Sequence, residues 1–165
     1  MKADPMRAWL VPLFLLIAAC SPQTAQPSPA PAVARQDVHP TSGLAVIPLT
    51  ITPVTGTPHR FRVEVAQTPE QQEHGLMFRT AMGADEGMIF PYDPPQVVGF
   101  WMKNTVIPLD IVFIDSQHRV INVAANAVPY SETTLPSQAP AAAVLELNGG
   151  RARQLGVVAG TRIDW

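Results

Sequence analysis

One thiol is all this chain has. Cys20 is the only cysteine among 165 residues, so no internal disulfide can brace the fold and any structure must rest on a packed hydrophobic core. That requirement divides the chain, because only part of it is rich enough in apolar residues. From Ser21 to about Ser42 the sequence (SPQTAQPSPAPAVARQDVHPTS) is mostly Pro, Ala, Gln, Ser and Thr. It offers too little apolar surface to offset its ordering entropy, and its prolines favour extended polyproline II. A disordered linker over residues 21–43 is therefore expected, followed by one domain over residues 44–165, a length suited to a single core.

Ahead of the linker, Lys2 and Arg7 precede an apolar segment, Ala8 to Ala19 (AWLVPLFLLIAA), about as long as a signal-peptide core and shorter than a membrane span. It ends in Ile17-Ala18-Ala19-Cys20, which resembles the lipobox of bacterial lipoproteins. The resemblance implies a signal peptide over residues 1–20, acylation of Cys20, and an exported domain held at a membrane by a lipid anchor. By the same resemblance, Ser21 in place of an aspartate favours the outer membrane. Removing Lys2, Arg7 and Asp4 with the leader leaves nine Lys plus Arg against twelve Asp plus Glu. There is no basic cluster of the kind that binds nucleic acid.

Within the domain, Leu44 to Thr52 and Pro58 to Ala66 read as strands. The second alternates Phe61, Val63 and Val65 against Arg60, Arg62 and Glu64, so it is half exposed. Thr68-Pro69-Glu70-Gln71 supplies an N-cap, a first-turn proline and a capping-box partner for a short helix that Gly75 ends. Met88 to Phe90 is a short strand, Pro91, Pro94 and Pro95 enforce a loop, and Val98 to Lys103, Leu109 to Asp115 and Arg119 to Ala125 are further strands. Val128 to Pro140 is loop, Ala143 to Leu147 is a strand, Asn148-Gly149-Gly150 opens a second short helix ended by Gly156, and Thr161 to Trp165 closes the chain. With no strand–helix–strand alternation, the pattern predicts a mainly β (β-rich α+β) domain, a compact antiparallel barrel or sandwich with two short helices.

The strings EQQEHGLMFR (Glu70 to Arg79), GMIF (Gly87 to Phe90), FWMKNTVIPLDIVFID (Phe100 to Asp115) and VLELNGG (Val144 to Gly150), with Leu155-Gly156, resemble in order and spacing the bacterial family known as domain of unknown function 192. The likeness spans about Phe61 to Ile163. It implies a small mainly-β fold and an exported or lipid-anchored address, and leaves function open.

The residues themselves raise sharper questions. Asp110 lies among Leu109, Ile111, Val112 and Ile114, and alternation puts it on the face shared by Val112 and Ile114. A carboxylate there must be hydrogen-bonded, paired or protonated. It either accepts amides of the Lys103 to Ile107 turn, or pairs with Arg79, or is a pocket acid. Glu146 repeats the puzzle within VLELNGG, with Arg79 as its expected brace. Trp101, Lys103 and Asn104 sit at a polar turn between strands, where ligands often bind and Phe100 or Trp101 could stack on a sugar ring or peptide. Met77, Met82, Met88 and Met102 with His74 are a copper-like set, yet methionine in apolar strings is ordinary core, and there is no Cys pair or close His pair for zinc. No metal and no cofactor is expected.

No residue set meets the pattern of a nucleophilic enzyme: no Gly-x-Ser-x-Gly occurs, and the single thiol is the lipidation site. The leading expectation is an envelope module binding a small ligand, glycan or envelope protein in a groove lined by Arg79, Trp101, Lys103, Asn104, Asp110 and Glu146. The alternatives are a hydrolase of an envelope polymer using Asp110 and Glu146 as a carboxylate pair, and a docking subunit of an envelope complex.

Overall fold

A computed structural model describes residues 37–165; the leader, Cys20 and the rest of the linker lie outside the described residues. Among the described residues, nine strands and two short helices follow one another as β1 (Val46–Thr52), β2 (His59–Val65), α1 (Pro69–His74), β3 (Glu86–Gln96), β4 (Gly99–Phe100), β5 (Leu109–Ile114), β6 (Val120–Ala127), β7 (Leu135–Pro136), β8 (Ala141–Asn148), α2 (Arg151–Leu155) and β9 (Arg162–Asp164). Seven form one curled sheet in the order β6-β5-β8-β3-β2-β1-β9, and β4 pairs with β7 separately. At one end the outer strands meet through an Arg119–Arg162 bridge, which gives the sheet its half-barrel curl. The fold is β-rich α+β, as expected.

Two features depart from the expectation. The β2–β3 pair is parallel, with Val63 opposite Gly87, because α1 and the turns after it carry the chain back over the sheet. The other pairs within the sheet are antiparallel. Second, Pro91, Pro94 and Pro95 lie inside β3 rather than in a loop. Partner β2 stops at Ile89, so the prolines fall where one side of β3 has no ladder to supply, and pairing with β8 shifts register between Pro91 and Gln96.

Both faces of the sheet are covered. One carries Leu49, Phe61, Val63, Val112, Ile114, Leu145 and Leu147 against Ala152 and Leu155 of α2. The other carries Met88, Phe90, Ile111, Phe113 and Val144 against Leu76 and Met102. All six residues of β5 are buried, which is why LDIVFI reads as a continuous apolar run with one acid in it. Met88 and Met102 are core residues with no exposed surface, and no cluster of three His, Cys, Asp or Glu side chains suited to a metal occurs among the described residues.

Residues 37–44 are also built into the fold. Asp37 to Leu44 form a tight turn in which His39 N–H donates to Leu44 O and Val46 N–H to Asp37 O, with a Val38–Ala45 bridge. Among the described residues, no helix is long and apolar enough to cross a membrane.

Candidate functional site

Asp110 and Glu146 do not share a pocket. Register places Asp110 opposite Leu147 and Ile111 opposite Glu146, so the two acids stand one step apart on neighbouring strands and leave opposite faces of the sheet. Asp110 has no exposed surface. Its Oδ1 accepts the N–H groups of Asn126 (2.8 Å) and Gly150 (3.0 Å), and Oδ2 that of Ala152 (2.7 Å). The Lys103 to Ile107 turn and Arg79 are not its partners. Gly150, the N-cap of α2, has no side chain to offer, so Asp110 reaches in from β5 to satisfy the opening amides of that helix. A residue so occupied is a strut, and the carboxylate pair required for glycoside hydrolysis is not built.

Arg79 likewise braces a residue other than those expected. Its Nη2 lies 2.7 Å from Glu64 Oε2 and 2.9 Å from Oε1, with side-chain exposures of 13% and 5%. Ser42 Oγ donates to the same carboxylate, and His39 Nδ1 lies 3.6 Å from it. Glu64 alternates with the exposed Arg60 and Arg62, and nothing in β2 marks it as buried. It is covered by the turn at 39–44, which the Pro-rich composition had assigned to the linker.

Glu146 is the unusual acid. It faces Met88 and Ile111, is 5% exposed, and its Oε2 has no hydrogen-bond partner among the described residues. Burial pushes its carboxyl up to about 8, and the Tyr92 hydroxyl, half-buried and near that charge, is pushed up to about 12 by burial first and by Glu146 second. The carboxyl borders a cavity of about 30 Å³, walled by Leu76, Phe90, Phe100 and Thr105. Glu73, His74, Met77, Trp101 and Lys103 border this cavity and also an open depression of about 330 Å³ that Glu70 and Asn104 complete. Glu70, His74 and Met77 in turn line a larger groove of about 510 Å³ that runs past Phe78 and Arg79 to Thr41, Ser42 and Leu44.

Local hydrogen bonds tie these walls together. Thr68 and Gln71 close a reciprocal capping box at the start of α1, and Gly75 ends the helix at φ 48°. Phe78 and Asn104 both take left-handed backbone, at φ 62° and 54°, and Phe78 N–H donates to Asn104 O, stapling one turn to the other. Met102 N–H donates to Ser131 O and Tyr130 N–H to Thr105 O, which pins the Trp101 to Thr105 turn from its far side. Trp101 is 42% exposed, and Lys103 Nζ lies 5.0 Å from its ring centroid. Of the six expected groove residues, the structure sets Trp101 and Lys103 beside Asn104 at the depression and beside Glu146 at the cavity, places Arg79 along the adjoining groove, and removes Asp110 to the other face. Glu70, Glu73 and His74 join them unexpectedly. Their spacing on a short helix puts them on one side, a pattern present in the sequence.

Fold and site define a small β-rich domain whose curled sheet carries a surface groove with a buried acid at its floor. Residues 50–165 match the family described as "DUF192: Uncharacterized ACR, COG1430", and the chain belongs to that family. No match was found among curated proteins. A crystal structure of a protein of unknown function from Novosphingobium aromaticivorans is similar at 53% identity and a TM-score of 0.77, covering 81% of this chain and 94% of that one. Another, named "putative transcription regulator", from Sinorhizobium meliloti, is similar at 41% identity and a TM-score of 0.72, covering 73% and 94%. The family match starts at residue 50, so the wall formed by Thr41, Ser42 and Leu44 precedes it.

Proposed function

We propose that this is a lipid-anchored domain of the bacterial cell envelope that binds a small polar organic ligand in the depression between α1 and the Trp101 to Asn104 turn. The observation that carries the reading is the half-exposed Trp101 ring, fixed on a turn pinned from both sides, with the carboxylates of Glu70 and Glu73 and the ammonium of Lys103 around it. An aromatic platform ringed by a few convergent polar groups is the usual composition of a small-ligand site. The envelope address is supported by the lipobox-like Ile17-Ala18-Ala19-Cys20 and the Pro-rich stretch behind it.

The test is a screen of envelope glycans, small amines and small anions against the full chain, read by chemical-shift changes at the backbone amides of Glu73, Lys103 and Asn104, which line the depression. A hit should weaken at least about tenfold in Trp101→Ala, since loss of a stacking platform costs about 1–3 kcal/mol. Binding that Trp101→Ala and Lys103→Ala leave untouched contradicts the reading.

A further inference from the structure

The cavity beneath the Trp101 turn differs from the groove that leads to it. It is bordered by the Glu146 carboxyl with one oxygen unpartnered among the described residues, its walls combine Leu76, Phe90, Phe100 and Trp101 with the polar Gln72 and Thr105, and its volume of about 30 Å³ suits one water-sized group. A buried polar atom left without a partner costs free energy that a ligand can recover. A hydroxyl would supply a hydrogen bond and gain little from the rings. An ammonium would gain the carboxylate charge together with the nearby aromatic rings. One ammonium already sits at the mouth, where Lys103 Nζ rests over Trp101.

We propose that this slot is a subsite for the terminal ammonium of an amine-bearing ligand, held between the Glu146 carboxylate and the rings of Phe100 and Trp101. The proposal rests on the groove being a binding surface and names the class of ligand that surface takes. At neutral pH the buried acid carries its proton, so entry of an ammonium releases that proton to solvent while the amine keeps its own three. The other titratable groups bordering the slot or coupled to it are Glu73, His74, Tyr92 and Lys103.

The experiment titrates methylammonium chloride, with methanol as the uncharged control of equal size, into the full chain carrying ¹³C-labelled glutamate. At pH 7 methylammonium should move the Glu146 carboxyl carbon saturably toward its ionised position and shift the Trp101 indole, and methanol should do neither. Glu146→Gln, with an otherwise unchanged amide spectrum, should bind methylammonium at least about tenfold more weakly, since the charge-assisted bond is lost. Lys103→Met, which removes the competing ammonium, should bind it more tightly. An unmoved Glu146 resonance, an equal effect of methanol, or undiminished binding by Glu146→Gln overturns the proposal. A screened ligand that shifts the Glu73, Lys103 and Asn104 amides without touching Glu146 overturns the slot and leaves the groove reading standing; methylammonium that ionises Glu146 when no screened ligand binds does the reverse.

Discussion

Asp110 and Glu146 stand back to back on β5 and β8, one register step apart, with one carboxyl accepting three amides and the other with an oxygen that meets no donor among the described residues. The contrast separates the two roles an interior acid can have. Asp110 holds the sheet to α2, and Glu146 is left to whatever enters from the groove.

Asp110→Ala should strand the buried amides of Gly150 and Ala152, while that of the exposed Asn126 can turn to solvent, and destabilise the protein by about 3–5 kcal/mol, because bonds to a charged acceptor are worth about 1.5–3 kcal/mol each. Asp110→Asn, which keeps one acceptor oxygen, should cost less. Urea denaturation checks both; a loss under about 1 kcal/mol for the alanine variant would mean that water or another residue replaces the carboxylate.

Stability should fall as pH rises through the neutral range, and Glu146 should be a main cause. Its folded-state value is raised from 4.5 to about 8, so the folded protein holds a proton that the unfolded chain has released. The contribution is fully present below about 4.5, is lost progressively between there and about 8, and amounts to a few kcal/mol by linkage. Glu146→Gln, neutral at every pH, should flatten this slope and be the more stable protein at pH 8. Thermal melts of both proteins from pH 4 to pH 9 are the check, with parallel curves as the contrary result.

Arg79→Ala leaves Glu64 buried without its cation and should destabilise by about 3–5 kcal/mol. It should also loosen the turn at 39–44 that shares this carboxylate through Ser42 and His39. Hydrogen exchange at the His39 and Val46 amides, both bonded within that turn, should speed up ahead of the sheet. Exchange rates unchanged there would mean that the backbone bridge alone holds the turn.

Gly87→Ala should cost about 1–3 kcal/mol by overpacking. The position lies in β3, and a Cβ there would meet Glu146 O at 2.6 Å, a backbone atom that cannot swing away. A variant as stable as the parent would show that β3 and β8 can separate slightly at this point.

Cys20→Ala tests the anchor. The parent protein expressed in a bacterium should partition into detergent, and the variant should not; identical partitioning contradicts lipidation at Cys20.

Much of the frame was legible in the residues. The capping box at Thr68 and Gln71, the helix stop at Gly75, the alternation from Arg60 to Val63 in β2 and the apolar runs of β5 and β8 are local signals that survive in the structure because each settles its own backbone conformation. Asp110 could be read as an acid in need of amides, and it is one. The donors were not legible, since they lie 16, 40 and 42 residues away and are set by how β6 and α2 pack. The burial of Glu64 was hidden for the same reason: a covering turn from another part of the chain decides it, and periodicity carries no trace of that turn. Likewise the prolines of β3 look like breakers until the missing β2 neighbour shows why they are tolerated.

The central claim is that the groove leads to a buried, protonated acid with one oxygen unpartnered among the described residues, and the most direct measurement is the titration of the Glu146 carboxyl carbon by ¹³C NMR in the free protein. A midpoint near 8 is the predicted result. A midpoint near the ordinary 4.5 would contradict it, because the carboxyl would then already have the partners that the slot is proposed to receive from a ligand.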